Sequence, residues 1–507
     1  MIFDFGFSIF DFFVMRFFLP SSALRLLAGV LCAASMLGAA RASAAPLTLD
    51  DAIRRALQNN QRLKVSAFNP QIARANVLTA AGAFDPALTF RRTKSENEVP
   101  GVLTPLGLRD RAQTDDYSLS LDGLMPWGLT YSLGGTAQNE RGTFNSFANN
   151  YATFGGLSVT QPLLRGFGFG ANLAGLRIAR ANRGISEWQH RQTVIDTVTD
   201  VIFAFNNLQQ ARDSQRIARV SRELTAQLVS DNEKKNRVGA LSDADVTQAR
   251  ARLATREEAI LLAERAVRDV ENELRLLIGE TSFQTGGTEL EVAELAPAPD
   301  LTVNAAADVK RAYDLRPDFL AARLGVTVNR ASNASARNQL LPRLDFVGSY
   351  GYSGRNADFG AARREVRDQD ARAYTAGIVV RVPLTFAEGR GRARAAQLTL
   401  RRSEADLVRF EQDVALSVTN AAGQIETTKQ RVAATRAAFD LAQQALDAEQ
   451  KRFQAGTSTT FFVLQQQELL ASAQNSYARA LADQRRALAN YERELGTTLA
   501  SHGLKIE

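Results

Sequence analysis

Cysteine is nearly missing from this 507-residue chain, and its one copy, Cys32, lies in an apolar run near the N-terminus. Beyond residue 44 there is none, so neither a disulfide nor a thiolate metal site can form there. The same part holds two distant histidines, His190 and His502, and a single methionine, Met125. That leaves no set of residues for Ser–His–Asp chemistry and gives no support for a metal relay. The expectation is a chain that is not an enzyme and holds no cofactor or metal. No run of about 20 apolar residues follows the N-terminal segment, so no helix there is expected to span a bilayer. The formal net charge is +7, but both signs are finely mixed. This reads as solvated helix surface, with no basic patch for nucleic acid.

Proline is absent from two long stretches, residues 163–296 and 384–507. Each follows a short alternating segment ending in proline, Val159–Pro162 or Val380–Pro383. Each then passes a glycine-rich turn (Gly168–Phe169–Gly170, Gly389–Arg390–Gly391) into a very long helical pattern that stops at a lone glycine, Gly239 or Gly456. A second helical pattern runs on to Gly279 or Gly496, 40 residues later in both cases. One unit is therefore written twice. The expected divisions are a signal peptide over 1–44, a first repeat over 45–280, a linker over 281–306, a second repeat over 307–500 and a tail over 501–507. The signal has a basic start at Met15–Arg16, the expected true start, and a small-residue cleavage site at Ala42–Ser43–Ala44. Leu31 before Cys32 argues against a lipid anchor.

Within the first repeat, Thr48–Leu49–Asp50–Asp51 opens a helix, and a second helix is expected from about Pro70 to Ala83. Four period-two segments follow, around Leu88, Leu119, Tyr131 and Leu157, with Met125–Gly128 as a turn. The second repeat has helices at about 307–315 and 319–340. It then has two alternating segments, Leu344–Tyr352 and Tyr374–Val382, around a charged loop at 353–372. From Asn172 to Val238 the pattern is helical for about 100 Å, which indicates a coiled coil or helical tube. In the second long helix Val418, Ile425, Val432, Phe439, Leu446 and Phe453 are seven apart, each followed three on by a small residue as far as Ala442. In the first return helix Arg256 interrupts the apolar spacing.

Gly166–Phe167–Gly168–Phe169–Gly170–Ala171 matches a dinucleotide-binding loop. The helix after it is far too long for a βαβ crossover, so a tight strand-to-helix corner is the better reading. His190 reads as a structural histidine on a helix face. The informative stretches are Arg237–Ala249 and Arg452–Leu464, helical hairpin tips in which glycine stops one helix and Ser or Thr caps the next.

In the duplication, in Leu49–Asp50–Asp51–Ala52, in Gln161–Pro162–Leu163–Leu164 and in the Arg237–Val238–Gly239–x–x–Ser242–x–x–Asp245–Val246 tip, the chain resembles the TolC-like outer-membrane efflux proteins over about 47–500. The resemblance implies an α+β membrane protein built from a duplicated helix–strand–long helix–helix unit. It implies a homotrimer whose shared β-barrel of about twelve strands, with a lipid-facing side, continues into a long α-helical coiled-coil barrel across the periplasm. The function implied is the passive outer-membrane channel of a tripartite efflux or type I secretion system in a Gram-negative bacterium. Its partners would be a periplasmic adaptor and an inner-membrane pump of RND or ABC type. The adaptor would meet Val238, Gly239, Ala240, Ala455, Gly456 and Thr457. The gate positions fall on Asp245, Phe453, Ser458, Phe462 and Gln465, where the family's tyrosine, arginine and acidic ring are replaced. The expected constriction is therefore apolar, at Phe462. The alternatives are an exported coiled-coil structural or surface protein without channel activity and, less well matched, a soluble periplasmic adaptor. The cargo is not readable.

Overall fold

The computed structural model describes residues 46–103, 109–280, 289–294, 298–299, 301 and 303–504. The expected signal peptide, the start at Met15, half of the linker and the last three residues of the tail lie outside the described residues. The chain divides into two units. The described part of the small one is a parallel bridge between Leu47 and Val292, in which the Leu47 amide donates to the Glu291 carbonyl. The large one holds everything below.

Helix α1 (Leu49–Asn59) is capped by Thr48, whose side chain accepts from the Asp51 amide. Helix α2 (Gln61–Ala81) begins earlier than the expected Pro70, because Asn60 Oδ1 accepts from the amides of Arg62 and Leu63 and starts the helix there. Pro70 lies inside it. An interior proline costs about 3 kcal/mol, which packing against the first long helix, through buried Leu63 and Ser66, has to offset. Strands β1 (Ala87–Leu103), β2 (Arg109–Leu124), β3 (Thr130–Gly142) and β4 (Tyr151–Pro162) follow. The long helix α3 (Ala174–Arg237) and its return helix α4 (Asp243–Leu277) complete the first half.

The second half runs α5 (Ala305–Leu315), α6 (Pro317–Gln339), β5 (Arg343–Asn356), α7 (Phe359–Arg367), β6 (Ala371–Arg381), α8 (Ala387–Gln454) and α9 (Thr460–Leu495). Three expectations change here. The charged loop contains α7, capped by Asp358 on the Ala361 amide. Strand β6 stops at Arg381, before Val382. Gly389 and Gly391 lie inside the first turns of α8 and form no turn of their own; Phe386, with φ +51°, makes the corner.

The six strands form one antiparallel sheet in the order β1-β2-β3-β4-β5-β6. The first half thus supplies four strands and the second two, so the chain brings six where a twelve-stranded trimer would take four. One row runs in register across all six: Leu88, Leu121, Leu133, Leu157, Tyr350 and Tyr374, every one exposed. The neighbouring row, on the other face, is small or polar: Thr89, Ser120, Gly134, Gly156, Gly351 and Ala373. Helices α2, α3, α6 and α8 pack side by side in that order. The duplication shows in matching joints. Gly279 (φ +78°) ends α4 against the backbone of Asn59, and Gly496 (φ +74°) ends α9 against that of Leu315. In each a Cβ would meet backbone at or under 2.9 Å, so both positions require glycine.

The seven-residue line of α8 faces inward at its ends, where Val418, Leu446 and Phe453 are buried; Ala421 and Thr428 of the small line are buried beside it. Arg256 leaves the α4 seam to lie within 3.6 Å of Glu468 on α9, an ion pair between hairpins. His190 lies half-buried on α3 with Nδ1 2.8 Å from the Ser66 hydroxyl of α2, and burial pushes its pKa down.

Candidate functional site

Both hairpin tips lie at the helix ends far from the sheet. At the first, Gly239 has φ +75°, a left-handed conformation that closes α3 with the Ala240 amide donating to the Lys235 carbonyl. At the second, Gly456 has φ +77°, and the Thr457 amide donates to the Arg452 carbonyl in the same pattern. A Cβ at either glycine would meet nothing within 4 Å. The backbone, not crowding, selects glycine here. Val238, Gly239, Ala240, Ala455, Gly456 and Thr457 are all exposed, Val238 at 79%.

The tips are supported differently. Ser242 caps α4: its hydroxyl donates to Asp245 Oδ2 at 2.6 Å and accepts from the Asp245 amide. Asn236 Nδ2 braces the same loop through the Leu241 carbonyl and Asp243 Oδ1. Thr459 precedes α9 but makes no side-chain cap, contrary to the expected pattern. Ser458 turns back to Glu449, and Thr460 reaches across to α3, where Asn232 Nδ2 donates to its hydroxyl at 3.1 Å.

Of the five gate positions, Asp245 is engaged with Ser242, Phe453 is buried, and Ser458 is tied to Glu449. The chain does not join these three to one another through any of those contacts. Phe462 is 49% exposed, with its ring edge-on to exposed Phe461 at 5.6 Å, and Gln465 is exposed one turn on.

Other residues at this end were not foreseen. Lys235 places Nζ 3.8 Å from the centre of the Phe453 ring, a cation–π contact, and donates to the Phe453 carbonyl at 3.4 Å. Thr225 and Gln467, both buried, meet at 3.3 Å. With Asn232–Thr460 they form a polar seam between the two hairpins. A cleft of about 400 Å3 runs beside it, lined by Leu228, Asp231, Lys235, Phe453, Val463 and Gln467 among others. The one clue in the sequence was a polar residue on an otherwise apolar helix face. No helix among the described residues is long and apolar enough to cross a membrane, and no three potential metal ligands cluster among them.

A sheet with one apolar exposed face, joined to long helices that end in bare tips, matches the family model described as outer membrane efflux protein, over residues 106–280 and 309–497. The chain belongs to the outer membrane efflux protein family. Solved structures agree in fold. The outer-membrane channel OprN matches with a TM-score of 0.69 at 19% identity, covering 89% of this chain and 90% of that one. The CmeC outer membrane channel of Campylobacter jejuni gives 0.67 at 14% identity over 89% and 86%. The outer membrane protein VceC of Vibrio cholerae gives 0.66 at 18% identity over 88% and 96%. No curated protein sequence matches the chain. This family member is an efflux exit duct of the outer membrane that extends into the periplasm and works with adaptor and pump partners.

Proposed function

We propose that three copies of this efflux protein form one duct, with their sheets closing a single wall in the outer membrane and their hairpins a tunnel below it. The tips, Val238–Ala240 and Ala455–Thr457, receive the hairpins of a periplasmic adaptor, and an RND- or ABC-type pump supplies the energy. The observation that carries this reading is the pair of exposed glycines whose positions of a would-be Cβ face open space. A partner helix can approach the backbone there.

In the resting duct three Phe462 rings, one from each copy, narrow the mouth, with Gln465 above them. Adaptor contact favours the state in which the α8–α9 hairpins move outward, and the shift is limited by the difference in affinity between the two states. A constriction of exposed aromatic rings closes by excluding water and carries no charge.

Three measurements test this. Light scattering of detergent-extracted protein should give a three-chain mass; a monomeric or dimeric rod without bound detergent would favour a coiled-coil surface protein. Phe462→Ala should raise the conductance of single resting channels in planar bilayers, and unchanged conductance would remove the apolar gate. Gly239→Trp or Gly456→Trp should stop export while trimers still reach the outer membrane, because the backbone strain alone is only about 1–2 kcal/mol. Normal export in both would end the docking reading.

A further inference from the structure

The sheet carries more strands than the helices need. Four helices, α2, α3, α6 and α8, meet four strands at their handover points: α2 leads to β1, β4 to α3, α6 to β5 and β6 to α8. Strands β2 and β3 have no helix of their own. They are joined at the helical end by the turn Met125–Leu129, in which the Met125 amide donates to the Leu129 carbonyl.

That turn is built into the handover from β4 to α3. The Gly168 amide donates to the Trp127 carbonyl at 2.9 Å. The Trp127 and Phe169 rings meet edge-on with centres 6.4 Å apart. Asn172 Nδ2 donates to the carbonyls of both Gly166 and Gly168. A Cβ on Gly128 would lie 2.3 Å from the Gly166 carbonyl oxygen. The ladders on both sides are long, from Ala87–Asp122 to Val99–Asp110 between β1 and β2, and from Ala112–Gly142 to Leu124–Thr130 between β2 and β3. The apolar row passes through Leu121 and Leu133 of this hairpin without a break. A hairpin lying off the wall would not share its neighbours' apolar face.

The two free edges of the sheet coincide with the two free edges of the helix layer. β1 follows α2 on one side and β6 precedes α8 on the other. Both outer helices leave apolar side chains uncovered: Val65, Phe68 and Ile72 on α2, Leu398, Val408 and Leu416 on α8. Because the strand number is even, β6 of one copy and β1 of the next run antiparallel, so a single docking closes both layers and leaves no unpaired strand edge.

We infer that a second copy of this chain occupies each edge and that all six strands enter the wall, giving an eighteen-stranded barrel from three copies. This rests on the trimeric reading above. With strands about 4.8 Å apart and tilted about 40°, eighteen make a wall roughly 36 Å across, against roughly 24 Å for twelve. A ring of twelve helices spaced about 9 Å apart is also roughly 35 Å across. The tunnel therefore opens into the membrane barrel without a taper, the barrel has about twice the cross-section of a twelve-stranded one, and the narrowest point for cargo is at the helical tips.

Electron cryomicroscopy of the full chain in lipid nanodiscs decides it. Three copies enclosed by eighteen strands, with β6 paired to the next copy's β1, is the expected result. Three copies with a twelve-stranded wall and two strands of each copy lying outside it would overturn the inference and leave the duct intact. A particle that is not trimeric would overturn both.

Discussion

The two places where a strand hands over to a long helix do the same job with different backbone chemistry. After β4, Gly166 and Gly168 take φ +87° and +90°, and the β2–β3 turn sits on them. After β6 no turn arrives; Phe386 alone takes the left-handed corner, and Gly389 and Gly391 are ordinary helical residues. The glycine-rich motif that resembles a nucleotide loop is thus explained by a packed hairpin turn. Its loose echo in the second half has no such role. Duplicated architecture does not imply duplicated constraints.

The sharpest way to break this comparison is Gly128→Ala. The new Cβ would press on the Gly166 carbonyl and on Asn172, at a φ of +101°, so a loss of several kcal/mol is expected from clash plus left-handed strain. The folded, heat-modifiable form should vanish from outer-membrane preparations. Gly391→Ala, with open space around it, should instead gain up to about 1 kcal/mol from helix propensity. Equal behaviour of the two variants would mean that the corners are equivalent after all.

The tips repeat the contrast at the other end. The first is braced by its own Asn236, Ser242 and Asp245, while the second leans on the first hairpin through Thr460 and Phe453. Asn232→Ala should cost about 1–2 kcal/mol, the loss of a buried hydrogen bond, and raise resting conductance; a double-mutant cycle with Thr460→Ala measures the coupling. Lys235→Met should cost less, about 0.5–1 kcal/mol for the cation–π contact, and shift conductance in the same direction. If neither changes conductance, the seam is a static joint.

The smallest effect concerns pH. His190, depressed by burial, is neutral in the folded chain at a pH where the unfolded chain, titrating near 6.5, takes up a proton. Stability is therefore complete above about pH 6.5 and falls slightly as pH drops through it toward the lower folded value. His190→Gln should flatten that part of the stability–pH curve.

Local pattern made much of the fold legible. The long helices were visible because 3.6-residue periodicity records which face of a helix is covered. Gly239, Gly279, Gly456 and Gly496 marked helix ends because only glycine adopts a positive φ there without strain. Helix α7 was hidden because nine residues with four charges look like a loop until the sheet gives Ala362 and Val366 something to pack on. Pro70 misled for the same kind of reason: proline's local preference yielded to the packing of Leu63 and Ser66.

By itself the sequence determined the duplication, the lack of any thiol beyond residue 44, the long helices, the alternating strands and the glycine-stopped tips. Each of these follows from the conformational preferences of neighbouring residues or from composition. Only the tertiary structure decided that six strands share one sheet, that the β2–β3 turn lands on Gly166–Gly168, and that Asn232 meets Thr460, 228 positions away. Periodicity shows that a face is covered. Which face covers it is set by shape and by the need to pair every buried polar group, and those conditions exist only once the chain has folded.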